Sequence, residues 1–187
     1  MIVCLGWGSL CWDPRTLPVE AGEWAQDGPA LPIEFTRVSK DNRVTLVVTP
    51  EAPETTVLWK ALALDDLDEA IAALAEREDI REANIPYSVG YWSAGRTSDH
   101  REVSVIEAWA TGRGLDAVIW TALKPRFMGE SGRIPDIGQV IDSLDGLEGE
   151  TRAIAERYVR RAPVQITTPY RAVIEERLGW TPHAGDQ

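Results

Sequence analysis

Histidine and cysteine are scarce in this chain of 187 residues, two of each, and the scarcity excludes several chemistries at once. His100 lies in a polar stretch and His183 close to the end, so neither has a ligand-spaced partner. No zinc site is expected, and no other metal or cofactor. A Cys–His nucleophilic pair is not expected either, and Cys4 and Cys11, which flank the first loop, read as core packing. With so few thiols, and with Met1 to Leu10 lacking a basic start and interrupted by glycines, the expected setting is the reducing cytoplasm rather than a secretory route. Long apolar runs are missing too: no segment approaches the ~20 residues of a membrane-spanning helix. Basic residues are outnumbered, 19 against 30 acidic, for a net charge of -11. Such a surface repels phosphate backbones and anionic lipid, so neither nucleic acid nor membrane is expected as a partner.

What is present is an ordinary globular composition, 44% apolar and 26% charged, without an internal repeat or a low-complexity linker. A single domain over 1–187 is expected, with 124–187 as a mainly helical C-terminal extension. Ile2 to Leu5 is a short apolar run stopped by Gly6 and reads as a buried strand. Leu31 to Ser39 and Arg43 to Thr49 read as strands joined by the polar turn Lys40-Asp41-Asn42. Thr56 to Leu64, Tyr87 to Trp92, Glu102 to Ala110 and Asp116 to Leu123 read as further strands, the last two on either side of Thr111-Gly112-Arg113-Gly114. Ile137 to Leu147, Glu150 to Arg161 and a segment from Thr168-Pro169 to Leu178 read as helices, with a loose tail from His183 to Gln187. The fold class is therefore α+β: a small mixed, mostly antiparallel curled sheet or β-barrel, one inserted helix, and helices at the end.

Two stretches bear on chemistry. The first, Gly6-Trp7-Gly8-Ser9-Leu10-Cys11-Trp12-Asp13-Pro14, has two glycines but lacks the third small residue and the following helix of a dinucleotide loop. It also lacks the second glycine of a nucleophile elbow. It reads as a strand-to-loop hinge able to hold a small anion on its backbone, or as a tight turn chosen for packing alone. Trp7 and Trp12 bracket it, whereas the other tryptophans are expected in the core.

The second is the inserted helix after Leu64. Asp66 with Glu69 resembles a capping box, and Leu67, Ala70, Ile71 and Leu74 repeat at i, i+3, i+4 and i+7. Carried forward at ~100° per residue, that stripe meets Glu78, while Glu76 falls on the opposite face. A carboxylate ending a buried face is costly unless satisfied, and such a group suits a general base. The alternative is a helix that frays near Arg77 and leaves Glu78 in solvent, paired with Arg81. Arg77 and Arg81 themselves read as surface partners of Glu76 and Glu82.

Taken in order, these motifs resemble the γ-glutamylcyclotransferase family, most closely its ChaC-like, glutathione-degrading branch. That branch has Tyr-Gly-Ser-Leu followed by Trp-x-Pro; here the residues are Trp7-Gly8-Ser9-Leu10 and Trp12-Asp13-Pro14. The family's helix ends in Leu-x-x-Arg-Glu, matched by Leu74-Ala75-Glu76-Arg77-Glu78. Gly129-Glu130-Ser131-Gly132 echoes a Gly-Pro-Ser-Gly segment before the late helices. The likeness runs over roughly the first 135 residues by motif order rather than continuous identity.

The resemblance implies an enzyme that closes a γ-glutamyl group on itself, releasing 5-oxoproline from a γ-glutamyl amide or peptide such as glutathione. Glu78 is then the catalytic acid/base. Trp7, Gly8, Ser9 and Leu10 bind substrate, the backbone N–H groups holding a carboxylate or oxyanion, and Tyr87 steadies the ligand. Trp7 stands where the family has tyrosine, so that hydroxyl is missing, and Tyr87 and Tyr91 are expected to share one strand face. The partner expected is a small γ-glutamyl substrate; no oligomeric state is implied. The alternatives are a silent small-acid-binding module on the same fold, or a protein whose late helices serve a partner.

Overall fold

The structure, a computed structural model, describes residues 1–182; the expected tail from His183 to Gln187 lies outside the described residues. In chain order the early elements are β1 (Ile2–Gly6), β2 (Ala30–Val38), β3 (Val44–Val48), β4 (Glu54–Thr56), β5 (Leu58–Ala61) and α1 (Leu67–Arg77). There follow α2 (Ile85–Ser88), β6 (Val89–Ser93), β7 (Arg96–Thr97), α3 (Val103–Gly112) and β8 (Ala117–Thr121). The last are β9 (Arg126–Phe127), β10 (Glu130–Ser131), α4 (Ile137–Asp145), α5 (Gly149–Arg161) and α6 (Pro169–Leu178). The class is α+β with mixed, mostly antiparallel sheets, as expected. The chain divides into two compact units, the first made of Met1–Gly6, Asp13–Leu31 and Thr56–Leu123, the second of Trp7–Trp12, Pro32–Thr55 and the chain from Lys124 onward. The late helices thus share a unit with the β2–β3 hairpin and the glycine loop.

The first unit holds one sheet in the order β5-β1-β8-β6-β7. β1 runs antiparallel to β5 and parallel to β8, and β8 antiparallel to β6. β1 is buried at every position and β8 at all but its last, so both faces of the sheet centre are covered. That is why these strands read as unbroken apolar runs rather than as alternation. α1 and α3 both pack against β6 and β8. Opposite Gly90 on β6 stands Trp120 on β8, fully buried, and a Cβ at position 90 would lie 2.0 Å from its ring. Only glycine lets that indole lie across the strand pair.

The second unit holds the sheet β10-β9-β2-β3, with β4 paired to β2. β2 and β3 form the expected hairpin, turned by Asn42 in the left-handed region at φ 61°. β3 ends the path of this sheet, and side chains cover its outer edge. The Leu46 N–H donates to Tyr158 Oη at 3.2 Å, and the Leu46 carbonyl accepts from Trp7 Nε1 at 3.2 Å. Backbone groups that would template another strand are satisfied in this way. α5 packs against β3, and α4 against α6. Among the described residues no helix is long and apolar enough to cross a membrane.

Three expectations are corrected. Glu102 to Ala110 is not a strand: it lies in α3, where Ile106 and Ala110 are buried four apart and Val105 is 41% exposed. The Thr111–Gly114 stretch is the end of that helix, with Gly114 left-handed and the Leu115 and Gly114 amides bonded to the carbonyls of Ala110 and Thr111. Tyr87 and Tyr91 do not share a strand face, because Pro86 opens the short α2 and the strand begins only at Val89. The single inserted helix is accordingly three.

Candidate functional site

The first half of the expected site is the C-terminal end of α1. Asp66 caps the start, its Oδ1 accepting from the Glu69 amide at 2.9 Å. Ala70, Ile71, Leu74 and Ala75 form the buried stripe. The polar residue that ends it is Arg77, seven positions after Ala70, whose side chain is 3% exposed; Glu78, one step round, is 17% exposed and Glu76 faces solvent. Arg77 is therefore not a surface partner of Glu76, whereas Arg81 is exposed as expected. Arg77 Nε and Nη2 donate to the Asp13 carbonyl at 3.2 and 2.6 Å, and Nη1 meets Glu78 Oε1 at 2.5 Å. Arg15 Nη1 reaches the Arg77 carbonyl at 3.3 Å. One buried cation thus ties the Asp13 segment to the helix end and holds one oxygen of Glu78. Glu78 Oε2 has no hydrogen-bond partner among the described residues.

The backbone fixes Glu78 as well. Its amide bonds to the Leu74 carbonyl, Asp79 turns left-handed at φ 53°, and the amides of Asp79 and Ile80 return to the carbonyls of Glu76 and Ala75. This is a Schellman ending with aspartate where glycine is usual, so the helix stops at the cap position that Glu78 occupies. The carboxylate sits beside a guanidinium rather than against an apolar wall, which replaces the expected burial with an ion pair.

The second half is the glycine loop, in the other unit. After β1 the chain makes a single 3-10 turn, Ser9–Cys11, with the amides of Cys11 and Trp12 bonded to the carbonyls of Gly8 and Ser9. Trp7 and Leu10 are both 5% exposed. Trp7 spends its indole N–H on the edge of β3, as described above. Gly8 is required by close approach: a Cβ there would lie 2.5 Å from Tyr158 Oη. Trp12 meets Tyr158 edge-on at 5.5 Å, and the guanidiniums of Arg161 and Arg43 lie over the rings of Trp12 and Tyr158 at 5.6 and 5.5 Å. Both cysteines are thiols, Cys4 buried and Cys11 partly so. Tyr87, in the first unit, is 66% exposed, and its phenol has no hydrogen-bond partner among the described residues.

Sequence reasoning passes over Glu34. It stands on β2 between Ile33 and Phe35, in the register of an outward residue, yet is 3% exposed because the start of α6 covers it. Its carboxylate accepts from the Thr168 hydroxyl and the amides of Phe35 and Tyr170. Burial pushes its pKa above the ordinary glutamate value, opposed by those hydrogen bonds. Next to it Arg171, also 3% exposed, donates to the carbonyls of Ala162, Pro163 and Ile166 and pairs with Glu175; desolvation lowers its pKa. The only sequence signal for this cluster is the Thr168 cap. Among the described residues no group of three His, Cys, Asp or Glu could hold a metal ion.

No family model, curated protein or solved structure matches the chain.

Proposed function

We propose that this protein is a γ-glutamyl cyclotransferase acting in the cytoplasm on a small γ-glutamyl amide or peptide, glutathione among the candidates. The α-amine of the γ-glutamyl group attacks its own γ-carbonyl, the five-membered lactam of 5-oxoproline closes, and the downstream amine leaves. Nucleophile and electrophile belong to one molecule, so the work is to fold the substrate and to move a proton. Glu78 takes one proton from the α-ammonium so that the amine can attack, passes it to the leaving nitrogen, and relays the second proton shed by the attacking nitrogen in the same way, so that the amine departs as its ammonium. Backbone N–H groups of the Gly8–Leu10 turn hold the oxyanion that develops on the γ-carbonyl, a contact worth ~3 kcal/mol for a good donor.

The observation that supports this reading best is the state of Glu78. One oxygen is clamped by a buried arginine at 2.5 Å, the backbone beneath it is locked by the helix ending, and the other oxygen accepts no hydrogen bond among the described residues. A base so held loses little freedom when it meets a substrate proton. Tyr87 is assigned a lesser part, as an exposed phenol able to settle on a bound ligand.

Wild-type protein incubated with glutathione and with simple γ-glutamyl amides should release 5-oxoproline. Glu78→Gln should lose at least ~100-fold of that rate while staying folded by circular dichroism, since the amide oxygen still accepts from Arg77. Release at the wild-type rate from Glu78→Gln would remove the proposal.

A second reading, a module that binds a small acid without turning it over, is favoured by the cationic cluster on Trp12 and Tyr158. It predicts a raised melting temperature with 5-oxoproline and no product from any γ-glutamyl compound.

A further inference from the structure

Arg161 is the last residue of α5, three positions after Tyr158, so the two side chains lie on one face of the helix. Tyr158 in turn backs Gly8 and touches Trp12 edge-on, which places Arg161, Tyr158, Trp12 and the glycine turn in one cluster within the second unit. The chain carries 30 carboxylate residues against 19 cations, yet among the described residues no carboxylate pairs with Arg161. Its Nε is buried without a hydrogen-bond partner among the described residues, and its guanidinium lies over the face of Trp12 at 5.6 Å. Leaving such a donor unmet is costly, and an aromatic face offsets only part of the loss. A second guanidinium, that of Arg43, lies over Tyr158, but Asp41 Oδ2 is 2.7 Å from its Nε and cancels its charge. The cluster therefore carries one uncompensated positive charge, between aromatic rings and beside a turn of backbone.

We propose that Arg161, with Trp12 and Tyr158 as its walls, is the seat of a single carboxylate on a small ligand. Resting on the function proposed above, that carboxylate is the α-carboxylate of the γ-glutamyl group, retained in the product. The terminal nitrogens of a guanidinium match a carboxylate through two parallel N–H bonds, and the substrate supplies the counter-charge that the cluster lacks among the described residues. One net charge suits a monoanion, so a free α-carboxylate is a requirement, and γ-glutamyl compounds with that group amidated are poor ligands.

The test is calorimetric titration of the full chain with 5-oxoproline and with 5-oxoprolinamide, which differs only in lacking the charge. Wild type should bind the acid at least ~10-fold more tightly than the amide, as expected for one charge-assisted pair. Arg161→Gln should lower affinity for the acid to that for the amide. Arg161→Lys, which keeps the charge but not the fork, should fall between, and unchanged circular dichroism shows that both variants are folded. Equal binding of acid and amide by wild type, no binding of the acid, or wild-type affinity in Arg161→Gln would each overturn the seat. Parallel turnover assays separate the two proposals. Carboxylate binding that depends on Arg161, without 5-oxoproline release, sinks the cyclotransferase and keeps the seat; turnover with unchanged KM in Arg161→Gln does the reverse.

Discussion

Two glutamates of this chain are withdrawn from water by opposite means. Glu78, in the first unit, is 17% exposed and is met by the cation of Arg77 at the end of a helix. Glu34, in the second, is 3% exposed and is met only by a hydroxyl and two amides at the start of one. A charged partner takes one oxygen of Glu78 and leaves the second without a hydrogen bond among the described residues. Neutral donors satisfy both oxygens of Glu34 while burial works against its charge. The first arrangement engages one oxygen of its carboxylate; the second uses the whole carboxylate in joining β2 to α6. Burial alone is thus a poor guide to which acidic side chain is chemically available.

Three substitutions test this contrast, beginning with the largest expected effect on stability. Arg77→Ala removes the partner of Glu78 and the donors to the Asp13 carbonyl; in urea unfolding it should cost about 3 kcal/mol. A loss below about 1 kcal/mol would show the pair to behave as a surface one. Thr168→Val keeps the volume but removes both the donor to Glu34 and the cap of α6, whose hydroxyl accepts from the Arg171 amide at 3.1 Å. It should cost about 2 kcal/mol by the same measurement, and a neutral result would mean that α6 is held by packing alone.

The smallest effect is the pH dependence of Glu34→Gln. The folded-state pKa of Glu34 is raised. Between the ordinary glutamate value and the raised one, the folded chain therefore binds more protons than the unfolded chain. Stability from this group is present at the acid end and is lost as pH climbs through that window. The advantage of wild type over Glu34→Gln, of order 1 kcal/mol, should accordingly shrink with rising pH. An advantage that grew with pH would mean that the three hydrogen bonds outweigh desolvation.

Helix ends show how much could be read in advance. The start of α1 was legible because Asp66 stands three residues before Glu69 and its carboxylate takes that amide. The last helix was legible for the same kind of reason, through Thr168-Pro169, and the structure adds a complete capping box of Asp136 with Gln139 at the start of α4. The end of α1 was not, because its left-handed residue is Asp79 and aspartate carries no such signal. That single turn decides that Arg77, and not Glu78, finishes the buried stripe. α3 was hidden for another reason: Val103, Val105 and Ile106 are β-branched and suit a strand, and only packing against β6 and β8 selects the helix.

Residue order alone was enough for the α+β class, the buried first strand, the β2–β3 hairpin and the α1 stripe, since these depend on local pattern and on nearest-neighbour hydrogen bonds. It took the tertiary fold to join the late helices to the hairpin's unit, to bring Tyr158 against Gly8, to cover the edge of β3 with Trp7 and Tyr158, and to leave Arg161 without a carboxylate among the described residues while enclosing Glu34. Those outcomes turn on which distant groups share a low-dielectric interior, and sequence spacing carries no record of that.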